Sequence, residues 1–236
     1  MYGDIASRQR EFFKSGATLD IEFRRGQLMM LKHMIEENES RILEALRADL
    51  GKSDIEGYLT EVGFVLNELD YMIKKLHKFA RPRSVRTPIA YFGSKSYIMP
   101  EPYGVVLILS PWNYPFQLTI APLIGAMAAG NCAILKPSEH SYYTAELLDE
   151  LISHTFHEDY IKVIQGEIPE TQALLEEKFD YIFFTGSIGV GKIVMEAASR
   201  HLTPVTLELG GKSPCIVDED VDIKLTAKRI AWGKFL

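Results

Sequence analysis

Residues 104–116 read Gly-Val-Val-Leu-Ile-Leu-Ser-Pro-Trp-Asn-Tyr-Pro-Phe, and residues 131–139 read Asn-Cys-Ala-Ile-Leu-Lys-Pro-Ser-Glu. Gly104 to Leu109 is an apolar run of strand length, and the β-branched Val105, Val106 and Ile108 suit a strand buried on both faces. Pro111 and Pro115 close it off and push Ser110 and Tyr114 towards extended geometry, leaving Trp112-Asn113 on a constrained turn. The segment from Gln117 to Gly130 is rich in Ala and Leu, with small residues at Ala121, Gly125, Ala128 and Ala129 that allow close packing on a sheet. A second buried strand, Cys132 to Leu135, ends at Lys136. Strand, loop, crossover helix and strand form a βαβ unit whose strand C-termini carry Asn113, Lys136 and Glu139. In open parallel sheets that edge is where ligands bind.

Outward from this unit the alternation continues. Helices are expected at Tyr142–Phe156, Pro169–Glu177 and Val190–Arg200, and strands at Ile161–Ile164, Tyr181–Phe184 and Val205–Leu209, with Gly166 ending the first of these strands. Alternating strands and helices predict an α/β fold with a doubly wound, Rossmann-like parallel sheet. Upstream, Leu28, Leu31, Ile35, Ile42, Leu46 and Leu50, then Leu59, Val62, Leu66, Leu69, Ile73, Leu76 and Phe79, recur at helical spacing. Ser53 and Glu56 have the capping-box spacing just before the second run. Their charged residues read as solvated helix faces. Arg81 to Pro88 reads as a connector. Ile89 to Tyr103 predicts two short extended segments joined by a turn at Gly93-Ser94, an arm suited to contact with another part of the chain or another subunit. The expected organisation is N-terminal helices over residues 1–88, the arm over 89–103, the sheet over 104–210 and a further segment over 211–236.

The 236 residues are 47% apolar and 25% charged, the balance of a soluble globular protein able to bury a core. A net charge of −6 argues against a nucleic-acid surface. Cys132 and Cys215 each lie in an apolar, strand-like run, where a cysteine acts as a small inert hydrophobe. Two cysteines give no disulfide framework, and no signal peptide or 18-residue apolar stretch is present, so the expected location is the cytoplasm. His154, His157 and Glu158 have a metal-compatible spacing on the expected helix but no third ligand, so no metal is expected.

Residues 185–192, Thr-Gly-Ser-Ile-Gly-Val-Gly-Lys, follow a buried strand and open a helix, a place suited to phosphate. Gly186 and Gly191-Lys192 have Walker A spacing, but Ile193 stands where a Ser or Thr would hold magnesium. The order G-x-x-G-x-G does not fit the Rossmann fingerprint either. A phosphate loop and a close-packed turn both remain open on these residues. Beyond an enzyme, a non-catalytic dinucleotide-binding or subunit-interaction protein and a P-loop nucleotide hydrolase are the alternatives.

Pro111-Trp-Asn-Tyr-Pro-Phe, Lys136-Pro-Ser-Glu139, Phe184-Thr-Gly-Ser187 and Leu207-Glu-Leu-Gly-Gly-Lys-Ser-Pro214, in this order, resemble the aldehyde dehydrogenase superfamily over essentially the whole chain. Thr203 to Cys215 and the Tyr following Trp112-Asn113 look most like its class 3 branch. The resemblance implies NAD(P)-dependent oxidation of an aldehyde to a carboxylic acid through a cysteine thiohemiacetal and thioester. It assigns Asn113 to the oxyanion and Glu208 to the base that activates the deacylating water. On a buried strand between two leucines, desolvation would raise the Glu208 pKa towards the working pH. Lys136 and Glu139 match the pair that binds the adenosine ribose and leave NAD against NADP open. Gly186, Ser187, Ile188, Gly189, Val190 and Gly191 match the cofactor turn. Trp112 matches a residue lining the cofactor pocket near the nicotinamide, Leu209 a cofactor contact, and Gly166 a turn near the adenine. The branch implies a homodimer when complete. The Gly-Gln-x-Cys type motif of the family does not occur, and neither Cys132 nor Cys215 matches it. The expectation is therefore an N-terminal fragment, inactive as it stands, whose residues 211–236 begin a second, catalytic domain.

Overall fold

The structure is a computed structural model that describes residues 2–235; Met1 and Leu236, the outer ends of the expected 1–88 and 211–236 segments, lie outside the described residues. Helices α1 (Tyr2–Lys14), α2 (Ile21–Glu37), α3 (Glu39–Leu50), α4 (Asp54–Gly57) and α5 (Gly63–Ala80) precede the sheet. Leu28, Leu31, Ile35, Ile42, Leu46, Val62, Leu69 and Leu76 are buried, so the helical periodicity marks the packed faces, although Leu59 and Phe79 of the same runs are exposed. Ser53 caps α4, its hydroxyl accepting from Glu56 N. Between α4 and α5 the chain widens into a π-turn, Tyr58–Val62, in which Gly63 N donates to Tyr58 O five residues back.

The arm is built differently from the expectation. Strand β1 (Arg83–Val85) pairs antiparallel with β2 (Ser96–Ile98), so the first strand lies in the segment read as a connector. Ile89–Tyr91 forms a 3-10 turn, and Gly93 takes φ +91°. Proline 88 fixes the entry to that turn.

The core is a five-stranded, all-parallel sheet in the order β5-β4-β3-β6-β7, made of β3 (Val105–Leu109), β4 (Cys132–Lys136), β5 (Ile161–Val163), β6 (Tyr181–Gly186) and β7 (Val205–Leu209). Every residue of β3 and β4 is buried, as continuous apolar runs in a two-sided sheet require. The crossovers are α6 (Gln117–Ala129), α7 (Tyr142–Thr155), α8 (Ile168–Leu175) and α9 (Ile188–Ser199). Right-handed connections put α6 and α7 on one face and α9 on the other, because the strand order reverses direction beside β3. Helices α2, α3 and α5 pack on α6 and α7 as an outer layer. Helix α1 crosses the N-terminal edge of the sheet, with Arg10 on Asp180 at 2.7 Å and Gln9 Nε2 donating to Ala133 O and Glu158 O.

The expectations for His157, for Cys215 and for the end of β7 change here. His157 lies beyond the end of α7, and Glu158 is taken by Arg8 at 2.6 Å. Cys132 is buried but Cys215 is exposed and outside any strand. Residues 210–222 have no long regular element, and α10 (Ile223–Phe235) buries no residue. Strand β7 is an edge strand whose last two residues, Glu208 and Leu209, are exposed rather than buried. No helix among the described residues is long and apolar enough to cross a membrane.

Candidate functional site

The reversal point lies between β3 and β6, where the loops leaving the two strands diverge and open a crevice at their C-terminal ends. A cavity of about 740 Å³ fills it. Pro111, Trp112 and Asn113 come from the loop after β3, Thr185, Gly186 and Ser187 from the end of β6, and Glu208, Leu209 and Gly210 from the end of β7. Leu118, Ala121 and Pro122 of α6 and Phe183 supply apolar wall. Six of the residues singled out in the sequence, Trp112, Asn113, Gly186, Ser187, Glu208 and Leu209, thus converge on one space.

The turn after β6 is a single residue, Ser187, which caps α9 by accepting from Val190 N at 3.3 Å. That geometry removes the phosphate-loop reading in its Walker form. The G-x-x-x-x-G-K spacing spans a strand end and a first helical turn, with no loop between them to wrap a triphosphate. Gly186 and Gly191 serve close packing instead: a Cβ on them would stand 2.5 Å from the Phe184 ring and 2.8 Å from Leu209. Gly189 faces open space, its nearest neighbour 3.9 Å from a built Cβ. Ile188, Gly189 and Val190 are exposed at the N-terminus of α9, where the helix dipole and the first amides favour an anion. Thr185 Oγ1 is buried in the same wall with no partner among the described residues. These features fit a dinucleotide whose pyrophosphate meets the α9 N-terminus.

Lys136 and Glu139 stand outside the cavity lining, at and just after the end of β4, and Gly166 follows β5. The Lys136 ammonium is buried and donates to Pro137 O at 2.8 Å; no carboxylate among the described residues forms an ion pair with it. Burial pushes its pKa down, against the pull of Glu139 and Glu170. Glu139 is exposed beside it. Gly166 has φ +134°, and a Cβ there would lie 2.3 Å from Glu170 Cγ, so the turn requires glycine. Glu208 is exposed and lines the cavity, which removes the burial on which its expected desolvation rested. Burial pushes the Cys132 thiol up to about 12, and neither Cys132 nor Cys215 lines the cavity.

Two residues at the site went unread in the sequence. Glu61, on the π-turn, is fully buried: Oε1 accepts from Lys52 Nζ at 2.6 Å, and Oε2 from Phe116 N at 2.9 Å and Gln117 N at 3.1 Å. Lys52 also donates to Asn113 O at 3.3 Å and lies 3.9 Å from the centre of the Tyr114 ring. Burial raises the Glu61 pKa, opposed by Lys52 and the two amides. A signal existed. Glu61 stands four before Val65, itself four before Leu69, on the stripe that carries the core.

The Aldehyde dehydrogenase family profile matches residues 4–236. The rat protein named "Aldehyde dehydrogenase, dimeric NADP-preferring" is 52% identical over 233 residues, 99% of this chain and 51% of that protein. A solved structure of the substrate-bound state of Staphylococcus aureus AldH has a TM-score of 0.96 at 51% identity, covering 99% of this chain and 51% of its own. A Staphylococcus aureus betaine aldehyde dehydrogenase in complex with NAD+ has a TM-score of 0.86 at 29% identity, covering 97% of this chain and 46% of its own. The chain spans about half the length of the curated relatives it matches, which include a family 3 enzyme of mouse. With the sheet order, the crevice and the convergence of its motifs in place, the chain belongs to the aldehyde dehydrogenase family.

Proposed function

We propose that this chain forms the dinucleotide-binding part, and supplies two groups of the reacting centre, of a protein that oxidises an aldehyde to a carboxylic acid with NAD or NADP. The observation that carries the reading is that Asn113 and Glu208 line one cavity with the opening of α9. The bound dinucleotide supplies the hydride acceptor. The Asn113 side-chain amide, with no hydrogen-bond partner among the described residues, is the donor for the oxyanion that develops when a thiolate adds to the aldehyde. Glu208, exposed to the cavity, takes a proton from the water that hydrolyses the thioester. Ser187, Ile188, Gly189 and Val190 present the pyrophosphate site, Lys136 and Glu139 hold the ribose, and Trp112 and Leu209 wall the cofactor. The thiolate comes from neither Cys132 nor Cys215. Residues 1–88 and 104–210 act as the cofactor-binding domain, 89–103 with β1 as a subunit-bridging arm, and 211–236 as the start of the catalytic domain. The proposed setting is the cytoplasm; recovery in the membrane pellet on cell fractionation counts against it.

In the complete protein, Glu208→Gln is expected to give a burst of reduced cofactor equal to the enzyme present, followed by slow turnover. Asn113→Ala is expected to slow the burst itself, by about a hundredfold. Steady turnover at the unmutated rate in the first, or an unchanged single-turnover rate in the second, removes the assigned role.

A further inference from the structure

We infer that Lys52 and Glu61 form a buried clamp that sets the position of Asn113, making them positioning residues for the reaction proposed above. The loop from Pro111 to Gln117 is tied locally by Leu118 N to Tyr114 O at 2.9 Å and Thr119 Oγ1 to Pro115 O at 2.6 Å, but the two amides that open α6, Phe116 N and Gln117 N, find their acceptor outside it. Pro111 and Pro115 lack an N–H, and α6 opens at Gln117 with Phe116 at its N-cap and no side-chain cap from its own sequence. Glu61 fills that gap from the π-turn by accepting from both Phe116 N and Gln117 N, so the carboxylate meets the positive end of α6. Lys52 reaches the same loop on its other side, bonding Asn113 O and covering the Tyr114 ring. The two clamping groups are joined at 2.6 Å with side-chain exposures of 8% and 0%. Asn113 therefore has its carbonyl held by a buried cation while its side chain lines the cavity.

The π-turn is the second, independent sign. An α-helix continuous from Asp54 to Ala80 carries its widened turn at the five residues that contain Glu61. Such turns break helix hydrogen bonding and recur at functional sites. A charged pair in a core is also a poor way to gain stability, since an apolar pair of the same volume packs as well. Here its hydrogen bonds run to the backbone of the loop that carries Asn113.

The inference rests on the oxyanion role proposed for Asn113, and one double-mutant cycle in the complete protein separates the two. Single-turnover reduction of NAD+ is measured for Glu61→Gln, Asn113→Ala and the double variant, with the dissociation constant for NAD+ and amide hydrogen exchange at Phe116 and Gln117. Glu61→Gln is expected to slow the single turnover about tenfold or more. It is expected to leave NAD+ affinity within twofold, to speed exchange at both amides, and to add no further slowing on the Asn113→Ala background. Equal slowing on both backgrounds, or no slowing by Glu61→Gln where Asn113→Ala slows, overturns the clamp and leaves the oxyanion role standing. No slowing by Asn113→Ala overturns both. If Glu61→Gln does not fold, Lys52→Met is read in the same way, because it leaves Glu61 in place and removes the bond to Asn113 O; Lys52→Arg is expected to restore part of the rate.

Discussion

At the scale of single residues, the ribose-binding role proposed for Lys136 stands against stability. An ammonium at 3% exposure with a carbonyl as its hydrogen-bond acceptor and no ion pair among the described residues is held at a cost to folding. The sign follows from its depressed pKa. Between that value and the ordinary 10.5 the unfolded chain binds more protons than the folded one, so stability rises with pH through that window and the penalty is fully present below it. Lys136→Met is expected to raise stability at pH 7 by about 1 kcal/mol, to abolish that alkaline slope, and to weaken dinucleotide binding. Denaturant melts at pH 7 and 10 with a cofactor titration check all three, and a loss of stability at pH 7 would contradict the account. At this scale Asn113 was legible from its place after the apolar strand β3, and Ser187 from the strand-to-helix turn that holds it, whereas Trp112 and Glu208 were singled out by the family resemblance. Beyond the helical spacing that puts Glu61 on the core stripe, the sequence did not show that Lys52 and Glu61 meet this loop, a juxtaposition that exists only after the π-turn and α5 pack on α6. Nor did it show the exposure of Glu208, which follows from β7 being an edge strand.

At the scale of elements, the buried strands and crossover helices were legible because their runs are long, apolar and punctuated by Gly and Pro. The arm was not. Three-residue strands with exposed side chains carry no alternation to read, and β1 was hidden among prolines and arginines. The turn between β5 and α8 tests how rigidly these joints are specified. Gly166 sits where a side chain would meet Glu170, whose carboxylate accepts from Glu167 N at 2.8 Å and so closes the first turn of α8. Gly166→Ala combines a forbidden φ with displacement of that carboxylate, and is expected to cost about 2–3 kcal/mol. Thermal or urea melts read this directly, and a loss below 0.5 kcal/mol would show that the turn re-forms without strain.

At the scale of the molecule, the described residues leave much apolar surface open. Ile89 is 91% exposed, Phe92 96% and Ile216 91%, and Tyr181, Phe183, Val205 and Leu207 are half-buried on the sheet. Surface of this kind is characteristic of chains that pack against others. On the proposed bridging role of the arm, Phe92→Asp in the complete protein is expected to shift a dimer towards monomer in size-exclusion chromatography with light scattering. An unshifted dimer would place the interface elsewhere. The sheet order has a further consequence in time. Val105 N bonds the side chain of Asp180, 75 residues away, and β6 pairs with β3 over that same span. During synthesis β3 therefore joins β4 well before its other neighbour exists, and a fully buried strand of the final protein waits with one edge bare. Closing so long a loop is slow, so refolding of this chain is expected in milliseconds to seconds. In stopped-flow fluorescence, the Trp112 signal is expected to report the late arrival of β6, and crowding the nascent chain during that interval is expected to favour misassembly over folding.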